Sequence, residues 1–204
     1  MTDRLFIAVA PPPAVVDALD ALVDPRRDLT PPWRWTPARN WHVTLAFLGN
    51  VDGWHDSLPG YLADVARTSA PFRLTLGGGR ALPEPRNAKV VVLGATAGAD
   101  AASRLAQRVR TACSRAGIPP DGARFLPHLT LARCGRGASA RALLEIADSF
   151  GEFSWEVTAF TLFTSWLQRS GPRYRALDQF KLHGTRPPTA PMRPVVADAA
   201  GDAG

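Results

Sequence analysis

Lysine is nearly missing from this 204-residue sequence: Lys89 and Lys181 are the only two, so the rest of its 24 basic residues are arginines. Against 18 acidic residues they leave a formal charge of +6 and a pI near 10.3. A positive excess carried by guanidinium groups, which grip phosphate oxygens in a two-point fork, suits an anionic partner such as nucleic acid as well as a solvated surface. Cysteine is scarce too. Cys113 and Cys134 show no metal-ligand spacing and are too few for a disulfide framework, which leaves two reduced thiols. Long apolar runs are absent. Residues 5–10 are too short for a signal-peptide core and run into Pro11-Pro12-Pro13, and nothing approaches the roughly 18 apolar residues of a membrane span. The expectation is a cytoplasmic protein without membrane contact, and a monomer. A hydrophobic fraction of 46% against 21% charged residues excludes wholesale disorder.

What is present is a mixture of short strand and helix patterns. Residues 5–9 read as a strand, and the prolines after them suit the first turn of a helix over 14–23, whose Val15, Val16, Leu19, Leu22 and Val23 fall at helical spacing. Trp33-Arg34-Trp35 alternates, and 41–48 reads as a strong strand ending at Gly49-Asn50. A helix over 61–67, strands over 72–76 and 89–93, and a helix over 99–116 stopped by Gly117 follow. The triple glycine 77–79 lacks the spacing of a phosphate-binding loop and reads as a hairpin turn. A strand over 128–132, a helix over 138–150, a β-rich run over 153–167, a Gly171-Pro172 turn and a return strand over 174–182 complete the domain, taken as 1–183. Residues 184–204, poor in apolar side chains, read as a disordered tail. Strands and helices mix without a long βαβ series, so the fold class is α+β. The pattern is also doubled: each half has a helix, a break, and a strand opening with His-x-Thr.

Those two segments are His42-Val43-Thr44-Leu45 and His128-Leu129-Thr130-Leu131. On a strand, residues i and i+2 share a face, so each histidine projects beside its threonine while the apolar pair points to the core. Two imidazoles suit phosphoester cleavage. One takes a proton from the attacking water and the other gives one to the leaving oxygen, because a pKa near 6.5 keeps both forms accessible. Two hydroxyls can donate to the non-bridging oxygens, where charge builds. Neither segment has a carboxylate or a His-Glu-x-x-His spacing beside it, so no metal or other cofactor is expected. His55 and His183 lack a companion threonine and receive no role.

The paired motif resembles the two-histidine phosphoesterase superfamily and, within it, the RNA 2',3'-cyclic phosphodiesterases, also called LigT-like or 2'-5' RNA ligases. Arg4 to Ala8 is similar to the opening strand of that family. Trp35-Thr36-Pro37 with Trp41 to Gly49 is similar to its first motif block, and Pro127 to Arg133 to its second. Ser165-Trp166-Leu167 with Gly171 to Tyr174 is similar to its C-terminal hairpin. The resemblance implies two pseudo-symmetric lobes, each a mainly antiparallel sheet with helices outside, around a basic cleft. It implies hydrolysis of a terminal 2',3'-cyclic phosphate on RNA, or on a small cyclic nucleotide, to a 2'-phosphate. His42 would be the proton donor, His128 the proton acceptor, and Thr44, Thr130 and Arg133 the phosphate-binding residues. One departure stands out. The family usually has an acidic residue and then Asn-Leu before the first histidine, whereas this chain has Ala38-Arg39-Asn40-Trp41. Arg39 would add charge at the cleft mouth, and Trp41 either packs in the core or offers a base-stacking face. Two other functions remain open at this point: 2'-5' RNA ligation as the main activity, and a non-catalytic RNA-binding module.

Overall fold

The computed structural model describes residues 3–28, 32–168 and 171–185. In chain order the strands and α-helices are β1 (Asp3–Val9), α1 (Pro13–Val23), β2 (Arg34–Trp35), β3 (Val43–Val51), α2 (Leu58–Arg67), β4 (Phe72–Leu82), β5 (Ala88–Ala97), α3 (Ala99–Arg115), β6 (His128–Ala138), α4 (Arg141–Asp148), β7 (Phe153–Val157), β8 (Ala159–Gln168) and β9 (Gly171–Lys181). Among the described residues nine strands form one sheet in the order β7-β4-β5-β6-β3-β1-β8-β9, with β2 on β6 and every pairing antiparallel. The α+β class and the two antiparallel halves expected from the sequence are both there. The halves are joined into one sheet by a narrow seam, the single Val43–Leu129 pair between β3 and β6.

The two halves of the sequence are interleaved across that seam. The stretch β1-α1-β3-α2-β4 and the stretch from β5 through α3, β6 and α4 to β8 run through equivalent places. Helix α3 buries Ala102, Leu105, Ala106, Val109, Ala112 and Cys113, a stripe at 3–4-residue spacing, and packs on α2 and β3 in the opposite half. Its counterpart α1 crosses the other way to β7, while α4 lies on β4 and β5. The main core therefore draws on both halves, from Leu5 and Ile7 through Leu129 to Phe160.

Several boundaries differ from the sequence reading. The triple glycine is no hairpin turn: β4 runs through it to Leu82, with a register shift between Gly77 and Gly79. Each glycine has its own reason: a Cβ on Gly77 would lie 3.0 Å from the Glu152 Cγ, Gly78 has a φ of 65°, and Gly79 lies against α4. A Cβ on Gly79 would lie 2.9 Å from the Ala147 Cβ and 3.2 Å from the Leu144 Cδ2, and the Gly79 N–H donates to Asp148 Oδ1 at 2.6 Å. Strand β6 is longer than its apolar core and claims residues as far as 138, so α4 starts only at Arg141. The strand expected from Trp41 starts at Val43 instead, because 38–40 form a 3-10 turn. The β-rich run over 153–167 divides at Thr158 into β7 and β8. Of the tail, residues 186–204 lie outside the described residues; Gly184 belongs to the fold, its N–H donating to the Ser69 carbonyl at 2.9 Å.

The strands carrying the motifs share one irregularity. Going from Ile7–Ala46 to Ala8–Thr44, β3 moves two residues for one on β1. Going from Val91–Ala132 to Val92–Thr130, β6 does the same against β5. Each bulge follows the motif threonine and buries two consecutive residues, Leu45-Ala46 and Leu131-Ala132. An extra residue reverses the strand's alternation, so the fifth residue after each histidine returns to the histidine's face. Those residues are Phe47 and Arg133.

Candidate active site

At the seam the polar faces of β3 and β6 meet. Continuing the antiparallel register from Val43–Leu129 sets His42 across from Thr130 and Thr44 across from His128, two crossed pairs around a local pseudo-twofold. The histidines are held alike. His42 Nδ1 donates to the Asn40 carbonyl at 2.7 Å and His128 Nδ1 to the Leu126 carbonyl at 2.6 Å, each two residues upstream. A carbonyl oxygen only accepts, so Nδ1 carries the proton in each neutral ring and Nε2 is the atom left for proton exchange.

Burial then sets their charge. His42 is wedged between Phe6, with ring centroids 5.0 Å apart, and Tyr174, edge-on at 5.4 Å. This desolvation pushes its pKa down to about 4; the Asn40 carbonyl opposes the shift, and the Arg133 and His128 charges add to it. His128 is lowered as well, by burial first, with the Leu126 carbonyl opposing and Arg133 reinforcing. Both imidazoles are therefore neutral at pH 7 in the unliganded protein. Tyr174 is raised by burial, with Arg133 and Arg4 pulling against it. Arg133 thus reaches three titratable groups, and its Nη2 donates to Thr130 Oγ1 at 3.4 Å.

Two cavities open from this point and share His42, Arg133, Pro172 and Tyr174. One, of about 300 Å³, is aromatic: Phe6, Phe47, Trp166 and Tyr174 line it with Arg4 and Thr44. Arg4 lies over the Phe47 ring at 5.2 Å from its centroid. The other, of about 1070 Å³, contains Thr130 and runs between β2 and the β8–β9 hairpin. His128 is half-buried and lies outside both walls, near enough for its charge to act on His42. Four of the five residues singled out from the sequence, His42, Thr44, Thr130 and Arg133, thus line the cavities, with His128 beside them.

Other expectations resolve differently. Trp41 is a core residue, 4% exposed with its indole N–H unpartnered, so it offers no stacking face. Arg39 is exposed and lines neither cavity. Asn40 was missed. It is buried, its carbonyl holds His42, and its Nδ2 donates to the Pro172 carbonyl at 2.9 Å, tying the motif to the β8–β9 hairpin. Arg4 and Phe6 do carry a sequence signal, since their i, i+2 spacing on β1 places them on one face. Tyr174 arrives from far along the chain and has no comparable local signal. Among the described residues no group of three or more His, Cys, Asp or Glu side chains could hold a metal ion, and no helix is long and apolar enough to cross a membrane.

An interleaved antiparallel sheet with twin His-x-Thr strands at its seam defines a two-histidine phosphoesterase architecture. The chain belongs to the 2'-5' RNA ligase superfamily, whose family model matches residues 11–165. An RNA 2',3'-cyclic phosphodiesterase of Aeropyrum pernix is 32% identical over 158 residues, 74% of this chain and 86% of the relative. Among solved structures, a Thermus thermophilus protein is 28% identical with a TM-score of 0.71, over 90% of this chain and all of that one. Escherichia coli LigT complexed with 3'-AMP is 27% identical with a TM-score of 0.69, over 89% and 99% of the two chains.

Proposed function

We propose that this protein hydrolyses the terminal 2',3'-cyclic phosphate of RNA to a 2'-phosphomonoester, by paired histidine acid–base catalysis without a metal. The observation that carries the reading is the matched pair of imidazoles at the seam, each with Nδ1 tied to a backbone carbonyl, each beside a threonine, with Arg133 next to both. In the proposed step His128 Nε2 accepts a proton from water as the water oxygen bonds to phosphorus. The bond from phosphorus to O3' breaks, and His42 Nε2–H protonates O3', leaving a 3'-hydroxyl and a 2'-phosphate. Thr44, Thr130 and Arg133 would donate to the non-bridging oxygens as charge accumulates there. A proton donor must be charged, whereas the unliganded protein holds His42 neutral. The phosphate anion supplies the missing charge, since a negative group in the cleft favours imidazolium and offsets Arg133.

The relatives named RNA 2',3'-cyclic phosphodiesterase support this substrate class. The family's ligase name favours a second reading on the same site, in which an RNA 5'-hydroxyl attacks the cyclic phosphorus in place of water, the bond to O3' breaks, and a 2'-5' bond and a 3'-hydroxyl are left. Water is in vast excess, so hydrolysis is the net reaction. The test uses a short RNA with a 2',3'-cyclic end, in EDTA. The expected product is a 2'-phosphate, with turnover reduced about 10²–10⁴-fold in His42→Ala and in His128→Ala. Dependence on added metal, or binding without turnover, would reject the mechanism.

A further inference from the structure

The larger cavity carries more positive charge than one cyclic phosphate requires. Arg34, Arg133 and Arg136 line it, and no aspartate or glutamate does. None of the three arginines has a carboxylate partner among the described residues. Arg34 and Arg133 are moreover direct register partners on β2 and β6. Like charges opposite each other on an antiparallel pair repel, an arrangement that is relieved when an anion lies between them. A second irregularity brings in Arg136. Between Val90–Arg133 and Ala88–Ala138, β5 moves two residues and β6 moves five, so 134–137 bulge from the ladder and Gly135 to Gly137 join the cavity wall.

The substrate in the reading above has one phosphate at the histidines and two parts leaving it, a terminal base and a chain of further phosphates running 5'-ward. The two cavities that diverge from His42 and Arg133 match those parts in size and chemistry. The small aromatic one, with Phe47 and the 43% exposed Trp166, fits a single base; the long arginine-lined one fits a string of phosphates. We propose that the groove bearing Arg34 and Arg136 holds the 5'-ward strand, which makes the preferred substrate an oligonucleotide end rather than a free cyclic nucleotide. This rests on the phosphodiesterase reading and adds a strand-binding subsite to it.

The experiment compares kcat/KM on a 2',3'-cyclic mononucleotide with kcat/KM on a single-stranded RNA of about 8 nucleotides ending in the same group. The wild type favours the strand. Arg34→Gln and Arg136→Gln, at exposed positions and checked for an unchanged melting temperature, each lower kcat/KM on the strand by about tenfold, and the preference over the mononucleotide falls accordingly. In parallel, fluorescence anisotropy measures binding of a labelled strand ending in a 3'-phosphate across a salt series. Each variant reduces the slope of log affinity against log salt by about 0.7, the value for one single-strand phosphate contact. Equal use of both substrates by the wild type, or variants that leave the preference and the slope unchanged, overturns the assignment. If the wild type cleaves neither substrate, the phosphodiesterase reading fails, and the salt slopes alone then decide for or against the groove.

Discussion

At the scale of single residues the informative quantity is the charge of His42. Its pKa near 4, against about 6.5 in an unfolded chain, means that the unfolded state binds more protons between those values. Stability contributed by neutral His42 is complete above pH 6.5 and is lost as pH falls toward 4. The same groups govern catalysis. In the mechanism proposed above, kcat/KM reports the free protein, where both histidines are depressed, so its bell-shaped profile is centred below 6.5. The profile of kcat reports the phosphate-bound state and lies at higher pH. Steady-state rates from pH 4 to 9 check this, and a kcat/KM bell centred above 7 would contradict the unliganded electrostatics. The His-Thr pairs were legible in the sequence because a strand's two-residue period is simple. Arg133 was legible only by family resemblance: at five residues from His128 a regular strand would turn it away, and the one-residue bulge at Leu131 that turns it back leaves no mark in composition.

Between elements, the decisive link is Asn40. Its carbonyl orients His42, and its side-chain amide holds Pro172 of the β8–β9 hairpin, which also carries the Tyr174 that covers His42. Asn40→Ala removes the amide hydrogen bond and leaves the backbone contact in place, costing about 1–3 kcal/mol of stability because the site is buried. As the hairpin loosens, water reaches His42 and its pKa rises toward 6.5. NMR titration of the His42 ring checks this directly; an unmoved pKa would show that the hairpin is held by other contacts. This tie spans 132 residues of sequence and had no local signal, whereas α1 and α3 are legible from their apolar spacing, and α2 and α4 are legible with ends displaced by two or three residues. The triple glycine misled because glycine reads as a turn, while here Gly79 makes room for α4 against β4, a demand set by a helix some 70 residues away.

For the whole molecule the consequence of interleaving is cooperativity. Helices α1 and α3 each close the core of the half-sheet they do not belong to, so neither half of the chain has a complete core of its own. Fragments 1–84 and 85–204, expressed separately, are expected to lack native near-ultraviolet dichroism, while the intact chain melts in one transition; a fragment that folds alone would refute this. The doubled pattern was visible in the sequence, but its crossing of halves was not, since helical periodicity says which face is buried and not against what. The twin bulges have one more consequence. They make Phe47 and Arg133 occupants of equivalent positions in two walls related by the pseudo-twofold, so an almost symmetric cradle carries an aromatic ring at one of them and a guanidinium at the other. That mismatch breaks the local symmetry at the histidines themselves, and Arg34 and Arg136 on one side and Trp166 on the other extend it outward, so in the reading developed above a strand threads past the site in one sense only.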